Sequence, residues 1–97
     1  MLMLITYDVS VTTAEGKQRL RNIAKLCLDH GVRVQNSVFE CEVAPAQFVL
    51  LKQKLLDLYN PDEDSLRFYA LGKRGRQKVE HFGAKPVEDP FTSPLII

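Results

Sequence analysis

Two short segments of this 97-residue chain carry residues that could handle phosphate chemistry. The first, Tyr7-Asp8-Val9-Ser10, ends an apolar opening run, so it would deliver the Asp8 carboxylate at the end of a strand, a common place for functional residues. An Asp in this position also commonly caps the following turn. The sequence around Asp8 is equally consistent with a functional role and with this capping role. A two-fold axis could bring two copies of Asp8 to one Mg²⁺, which takes oxygen ligands and keeps several waters.

The second segment runs from Gly31 to Cys41 and places polar side chains inside a hydrophobic stretch. Ser37 in this segment, like Ser10 in the first, could bond a phosphate oxygen, although loop and strand serines more often bond the local backbone. Arg33 and Gln35 alternate with valines, so they share one strand face. Substrate contact and a buried polar network at a subunit interface are equally consistent with that pair.

Basic residues cluster in two further places. Lys17, Arg21 and Lys25 recur every four residues along the first predicted helix. Such a run is usually a solvated face, but it could also follow a phosphate backbone. The densest cluster surrounds a turn at Gly75, which suits contact with nucleic acid, with a plain surface turn as the alternative. Its members are Lys73, Arg74, Arg76 and Lys78.

Length and composition indicate one globular domain. The chain is 45% hydrophobic and 26% charged, which is typical of neither a disordered nor a membrane protein. Its net charge of +1 gives no overall argument for nucleic acid, so that argument depends on where the charges lie. The opening residues have no signal-peptide pattern, which predicts a cytoplasmic protein without a membrane partner. Cys27 and Cys41 lack a metal or redox spacing and are predicted to be reduced, buried thiols.

Hydrophobic periodicity predicts the order of the elements. Residues 2–9 form a strand with apolar residues on both faces, which is typical of a central strand. A helix follows from a capping box formed by Thr12 and Glu15 to about His30, and Gly31 ends it as a left-handed cap.

Strand signals return at residues 32–35 and 37–43. A second helix has Pro45 in its first turn and stops at Asn60. The last two predicted strands are Ser65 to Leu71 and Lys78 to Phe82.

This order is β-α-β-β-α-β with an added C-terminal strand, an α+β ferredoxin-like arrangement with two helices on one face of an antiparallel sheet. Residues 1–83 form the predicted domain. The opposite sheet face lacks helices, so a homodimer is expected to cover it. Residues 84–97 contain three prolines before an apolar end and are expected to dock on a sheet edge at the dimer interface.

Three segments resemble one known family, the CRISPR-associated protein 2 family. They are Leu4-Ile5-Thr6-Tyr7-Asp8-Val9-Ser10, Gly31-Val32-Arg33-Val34-Gln35-Asn36-Ser37-Val38-Phe39-Glu40-Cys41 and Ser65-Leu66-Arg67-Phe68-Tyr69. The resemblance extends from residue 1 to about residue 83. The ending, from Leu71 through Pro86 and then Pro94 to Ile97, is similar to the branch found in type I-C systems.

The resemblance implies a metal-dependent endonuclease that takes part in spacer acquisition. In such a homodimer, Asp8 of each subunit would be catalytic and would face a shared Mg²⁺ or Mn²⁺, with single-stranded RNA or double-stranded DNA as substrate. The family also implies a partner, the integrase called CRISPR-associated protein 1. The dimer would bridge two integrase dimers, and the alternative function is therefore a non-catalytic DNA-binding adaptor.

The chain departs from the family pattern just after Asp8. Many relatives carry acidic residues there, whereas this chain has Ser10-Val11-Thr12-Thr13. No metal ligand beyond Asp8 is therefore implied. A small-molecule regulatory domain of the same fold is a third possibility, which the motif match disfavours.

Overall fold

The computed structural model describes residues 1–71 and 77–84, with only the backbone of residues 77–79. In these ranges the predicted order of elements and the α+β class are confirmed. The elements are β1 (Leu2–Asp8), α1 (Ala14–His30), β2 (Val32–Gln35), β3 (Val38–Glu42), α2 (Pro45–Leu58), β4 (Ser65–Leu71) and β5 (Gln77–Gly83). The predicted basic turn with Lys73, Arg74 and Arg76 lies outside the described residues, as does the predicted tail beyond residue 84.

The strands form one sheet in the order β2-β3-β1-β4-β5, and each neighbouring pair is antiparallel. β1 lies at the centre, as its apolar residues on both faces predict. The first four strands have the ferredoxin-like arrangement, and β5 extends the sheet along β4. The register of β1 and β4 pairs Thr6 with Arg67 and Asp8 with Ser65.

The two sheet faces are packed differently. Met3, Ile5 and Tyr7 of β1 belong to the main core with residues of both helices. Because side chains alternate along a strand, Leu4, Thr6 and Asp8 lie on the opposite face. That face holds a smaller cluster formed by Leu4, Val38 and Tyr69. Cys27 and Cys41 are free and buried in the main core, which confirms the prediction for both thiols.

The ends of α1 differ from the prediction. Its N-cap is Thr13 and not Thr12, because the Thr13 hydroxyl oxygen accepts the Gly16 N–H at 3.0 Å. The predicted capping box is therefore wrong by one residue. Gly31 has a φ of −163°, which is extended backbone, so the predicted left-handed cap is also wrong. The chain leads directly into β2 at Val32, which leaves no residues for a left-handed turn.

Pro45 is the first residue of α2, as predicted. The Ala44 N–H donates to Gln47 Oε1 at 2.9 Å, which satisfies one of the free amides at the helix start. Leu51 and Leu55 bury the inner side of the helix in the main core. Neither described helix is long and apolar enough to cross a membrane.

A fully buried carboxylate, Asp64, joins several parts of the fold just before β4. Its Oδ1 accepts the Ser10 N–H at 3.0 Å. Its Oδ2 accepts the Asn60 N–H at 2.9 Å and the Arg19 Nε–H at 2.7 Å. Its carbonyl oxygen accepts the Ala84 N–H at 3.1 Å. One residue thus holds α1 together with the chain segments that follow β1, α2 and β5.

Burial and hydrogen bonding act on Asp64 in opposite directions. Burial raises the pKa of its carboxyl, but the hydrogen bonds from Arg19 and from the N–H groups of Asn60 and Ser10 outweigh burial. The pKa of Asp64 is therefore lowered below its ordinary value of 3.8. A carboxyl with a lowered pKa stabilises the fold above its unfolded pKa, and this stabilisation is lost as the pH falls through the folded pKa.

We expect Asp64→Asn to lower the free energy of unfolding by about 3 kcal/mol at pH 7, because it leaves the Arg19 charge without its buried partner. Denaturant unfolding at pH 7 and at pH 3 measures this loss. The difference between wild type and variant should shrink in acid, since the Asp64 contribution is lost as the pH falls from 3.8 through the lower pKa of the folded state.

The control is Asp62→Asn, which changes an exposed carboxylate in the same loop. It should alter the free energy of unfolding by no more than about 0.5 kcal/mol. Equal losses in the two variants, or a difference that does not depend on pH, would contradict the role assigned to Asp64.

Candidate functional site

Asp8 is the last residue of β1 and its side chain is exposed. It lies on the sheet face opposite the helices, next to Ser65 of β4. Within the described ranges, its carboxylate makes no hydrogen bond or ion pair. The alternative role as a cap for the following turn is not observed there, because the Ser10 N–H donates to Asp64 instead. Asp8 is therefore available to a ligand.

The loop after Asp8 is held firmly. Besides the hydrogen bond from the Ser10 N–H to Asp64, the carbonyl of Ser10 packs so closely on Gly16 that a Cβ there would clash with it. The Ser10 hydroxyl lies 3.3 Å from the Thr12 hydroxyl. Ser10 thus has a local hydrogen-bond partner, as serines of loops often do. It still follows Asp8 by only two residues, so it lies at the same end of the sheet.

The turn between β2 and β3 packs against the end of β1. The Tyr7 N–H donates to the Ser37 carbonyl at 3.1 Å, and the Tyr7 hydroxyl donates to the Asn36 carbonyl at 3.3 Å. The Tyr7 ring stacks on Phe39 with centroids 5.9 Å apart. These contacts bring Ser37 to the end of the sheet that carries Asp8.

Arg33 lies on the other side of the sheet from Asp8. It is paired with Phe39, a residue of the helix-side core, and its guanidinium carbon is 5.2 Å from the centre of that ring. Burial raises the pKa of Tyr7, as does Cys27, while the nearby Arg33 opposes them. Arg33 remains exposed, so it can meet a ligand, although not from the face of Asp8.

The other predicted basic residues are not gathered around Asp8. Lys17 and Arg21 are exposed on α1, and Arg21 Nη2 donates to Gln18 Oε1 at 2.7 Å. Since α1 covers the face opposite Asp8, both belong to the helix layer. Lys25 borders an open groove between α1 and α2. Lys78 belongs to β5, but its side chain lies outside the described part of the structure.

Sequence reasoning missed Arg67 and Asp64. Arg67 lies on the Asp8 face, is only 8% exposed, and has its guanidinium carbon 4.9 Å from the centre of the Tyr69 ring. The alternation of Ser65, Arg67 and Tyr69 along β4 is visible in the sequence and could have indicated a polar face. No sequence pattern indicates that Asp64 would be buried with Arg19.

The described residues of one chain do not form a complete metal site. Among the described residues, no group of three or more His, Cys, Asp and Glu side chains is close enough together to hold an ion. Asp64 is unavailable because it pairs with Arg19. The exposed oxygen ligand at Asp8 fits Mg²⁺, which is commonly bound by one or two carboxylates together with water and substrate phosphates.

Comparison with known proteins connects this site to a family. The family model described as CRISPR associated protein Cas2 matches residues 1–79. The CRISPR-associated endoribonuclease Cas2 of Nitratidesulfovibrio vulgaris is 57% identical over 97 residues, which cover 100% of this chain and 94% of that protein. The CRISPR-associated endonuclease Cas2 of Halalkalibacterium halodurans is 53% identical over 94% of this chain and 98% of that protein.

A solved structure agrees with these sequence relatives. The crystal structure of Streptococcus pyogenes Cas2 at pH 6.5 superimposes with a TM-score of 0.70 and 56% sequence identity, and it covers 75% of this chain and 88% of that one. The shared segments include the strand that ends in Asp8, since the family model spans it. The chain therefore belongs to the CRISPR-associated Cas2 family.

Proposed function

We propose that this chain is a metal-dependent endonuclease of CRISPR spacer acquisition, acting in the cytoplasm on single-stranded RNA or double-stranded DNA. The observation that carries the proposal is the exposed Asp8 carboxylate, which has no partner in the described ranges and lies at a firmly held strand end. The names endoribonuclease and endonuclease of close relatives support the reaction class. The ending of the chain favours the type I-C branch of the family.

The chemistry of phosphodiester hydrolysis suits this carboxylate. Asp8 of each subunit would hold a shared Mg²⁺, or Mn²⁺ in its place. A divalent ion bound there would polarise a phosphoryl oxygen and lower the pKa of a bound water. Asp8 supplies negative charge at a fixed position, because its strand is paired on both sides. The nearby Ser10 and Ser37 could orient the phosphate by hydrogen bonds.

A homodimer would complete the site. The described residues of one chain hold no group of three or more candidate ligands, and a two-fold axis beside Asp8 would bring a second Asp8 carboxylate to the same ion. In the described part of the chain, no helix covers the sheet face that carries Asp8, so a second copy could approach it. We also propose that residues 84–97 dock on a sheet edge at that interface.

The first prediction from this function concerns Asp8→Asn, which keeps the shape of the side chain and removes its charge. We expect metal-dependent cleavage to fall at least about 100-fold, because metal binding and transition-state charge both depend on the carboxylate. Cleavage of labelled single-stranded RNA and duplex DNA, with Mg²⁺ or with EDTA, measures the effect. The favoured substrate identifies the nuclease class.

Asp62→Asn is again the matched control, and it should cleave at the wild-type rate. Size-exclusion chromatography should show that Asp8→Asn leaves the oligomeric state unchanged. Undiminished cutting by Asp8→Asn, or cutting that persists in EDTA, would reject Asp8 as the catalytic metal ligand.

The second candidate function is a non-catalytic adaptor that holds DNA and bridges two dimers of the CRISPR-associated protein 1 integrase. Its support is the exposed position of Lys17 and Arg21 on α1, in the layer opposite Asp8. Basic residues in that layer could contact a DNA backbone without approaching the carboxylate. Lys73, Arg74, Arg76 and Lys78 are proposed to extend this basic surface.

For the adaptor, we expect the double variant Lys17→Ala, Arg21→Ala to bind duplex DNA more weakly. Two lost phosphate contacts should flatten the slope of log K against log salt by about 1.8, since each contact contributes about 0.9. Fluorescence anisotropy at several salt concentrations measures the slope. Lys54→Ala, an exposed change on α2, controls for charge, and a slope equal to that of Lys54→Ala would exclude α1 from DNA binding.

A further inference from the structure

Three buried side-chain atoms have no hydrogen-bond partner within the described part of the chain, and all three belong to one row of the sheet. They are Oε1 of Gln35, Nε of Arg67 and Nδ1 of His81. Cross-strand pairing runs through this row from β2 to β5, in the order Gln35, Val38, Thr6, Arg67 and His81. The acceptor oxygen therefore lies at one end of the row, and the two nitrogen atoms lie at the other end.

This row lies on the sheet face that no described helix covers. Thr6 shares that face with Asp8, and residues directly opposite each other on antiparallel strands point to the same side. Gln35 is opposite Val38, which belongs to the smaller cluster on this face. A register shift between Arg33 and Gln35 separates their side chains, so the common strand face predicted for the two residues is wrong.

A two-fold axis along β1 would bring the two ends of this row together. The proposed homodimer needs its axis beside Asp8, which ends β1, the middle one of the five described strands. With the two uncovered faces in contact, such an axis places β4 of one copy over β3 of the other, and β5 over β2. His81 would then lie over Gln35 of the partner subunit. A buried acceptor and a buried nitrogen that lack partners in one chain would thus meet in the dimer.

The same axis provides a carboxylate for Arg67. The Arg67 guanidinium lies over Tyr69, with its carbon 4.9 Å from the ring centre, so its charge lies in the row of Tyr69. That row also contains Leu4 and Glu40, and Glu40 belongs to β3, the strand that would face β4 of the partner subunit. Glu40 is exposed and makes no hydrogen bond or ion pair within the described ranges. Its carboxylate would satisfy a guanidinium that is only 8% exposed.

The surroundings of the row favour a protein surface as its occupant. Val32 is opposite Glu40 on this face and is 68% exposed, so covering it with protein would favour association. The Glu40 charge would repel the phosphates of a nucleic acid. A second copy of the chain brings both an apolar face and the complementary charge of Arg67.

We propose that these polar contacts set the register of the homodimer across its two-fold axis. His81 Nδ1–H donates to Gln35 Oε1 of the partner subunit, and Arg67 pairs with Glu40 of the partner subunit. Each contact occurs twice, because an isologous interface uses the same residues of both copies. Complementary charges fix which strands face each other, and this alignment holds the two Asp8 carboxylates at the axis.

This inference rests on the homodimer of the proposed function, but on neither metal binding nor cleavage. The dimer is therefore measured in EDTA without nucleic acid, so a failure of the nuclease would leave the result unaffected. A monomeric wild type would overturn both the homodimer and its contacts. A dimeric wild type whose variants dimerise equally well would overturn only the contacts.

Charge reversal tests the pair of Arg67 and Glu40. We expect Glu40→Arg and Arg67→Glu each to raise the Kd of the dimer at least about 30-fold, because each leaves two like charges together at the interface. The double variant restores opposite charges and should recover a folded dimer. Sedimentation velocity at several protein concentrations measures Kd, and circular dichroism reports folding.

The control is Asp57→Arg, which changes the net charge equally on the exposed side of α2 and should dimerise like wild type. Wild-type affinity of Glu40→Arg would overturn the charge pair. A double variant that recovers no affinity would overturn it as well.

A double-mutant cycle tests the contact of His81 with Gln35. Gln35→Met and His81→Phe remove the acceptor and the donor and keep side chains of similar size. Each should raise Kd roughly fivefold for each of the two symmetric hydrogen bonds. The double variant should dimerise about as well as either single variant, since the two residues share one interaction. Effects that simply multiply would show that the residues act independently and would exclude this hydrogen bond.

Discussion

The buried ion pair of Asp64 and Arg19 is the constraint on which the geometry of this protein depends. A buried carboxylate is tolerated only when its oxygens are satisfied, and Asp64 is satisfied by three separate parts of the chain. Gly83 completes the arrangement, since its φ of 121° lets β5 pass close to the carbonyl of Asp64. Because one of the bound groups is the N–H of Ser10, the same interaction that stabilises the fold also fixes the loop after Asp8.

Asp64 and Asp8 have different roles, and this difference explains why the exposed Asp8 carboxylate remains free to bind a ligand. The carboxylate of a strand-end Asp commonly accepts hydrogen bonds from backbone N–H groups of the turn that follows. Here Asp64 accepts the hydrogen bond from that turn, so Asp8 keeps both oxygens for a ligand within the described structure. The carboxylate that stabilises the fold is thus distinct from the one proposed to bind the metal, and a change at Asp8 need not weaken the fold.

The sequence was sufficient for the elements and insufficient for the contacts between them. Periodicity predicted β1 at the centre and β4 from Ser65 to Leu71, because local burial patterns determine both. The cap of α1 was wrong by one residue, since Thr12 and Thr13 are both capable and only the packing of Gly16 distinguishes them. Asp8 was identified from its place at a strand end. Asp64 and Arg67 were missed because their roles arise from pairing across the sheet and between distant segments.

The sheet separates Asp8 from several of the basic residues that the sequence offers for phosphate contact. Lys17, Arg21 and Arg33 lie in or beside the helix layer, whereas Asp8 and Arg67 share the opposite face. A single bound strand at Asp8 would therefore not need the residues of α1, and a duplex held along α1 would not need Asp8. The two proposed functions, nuclease and adaptor, are therefore compatible in one molecule, because each would use a different face of the same sheet.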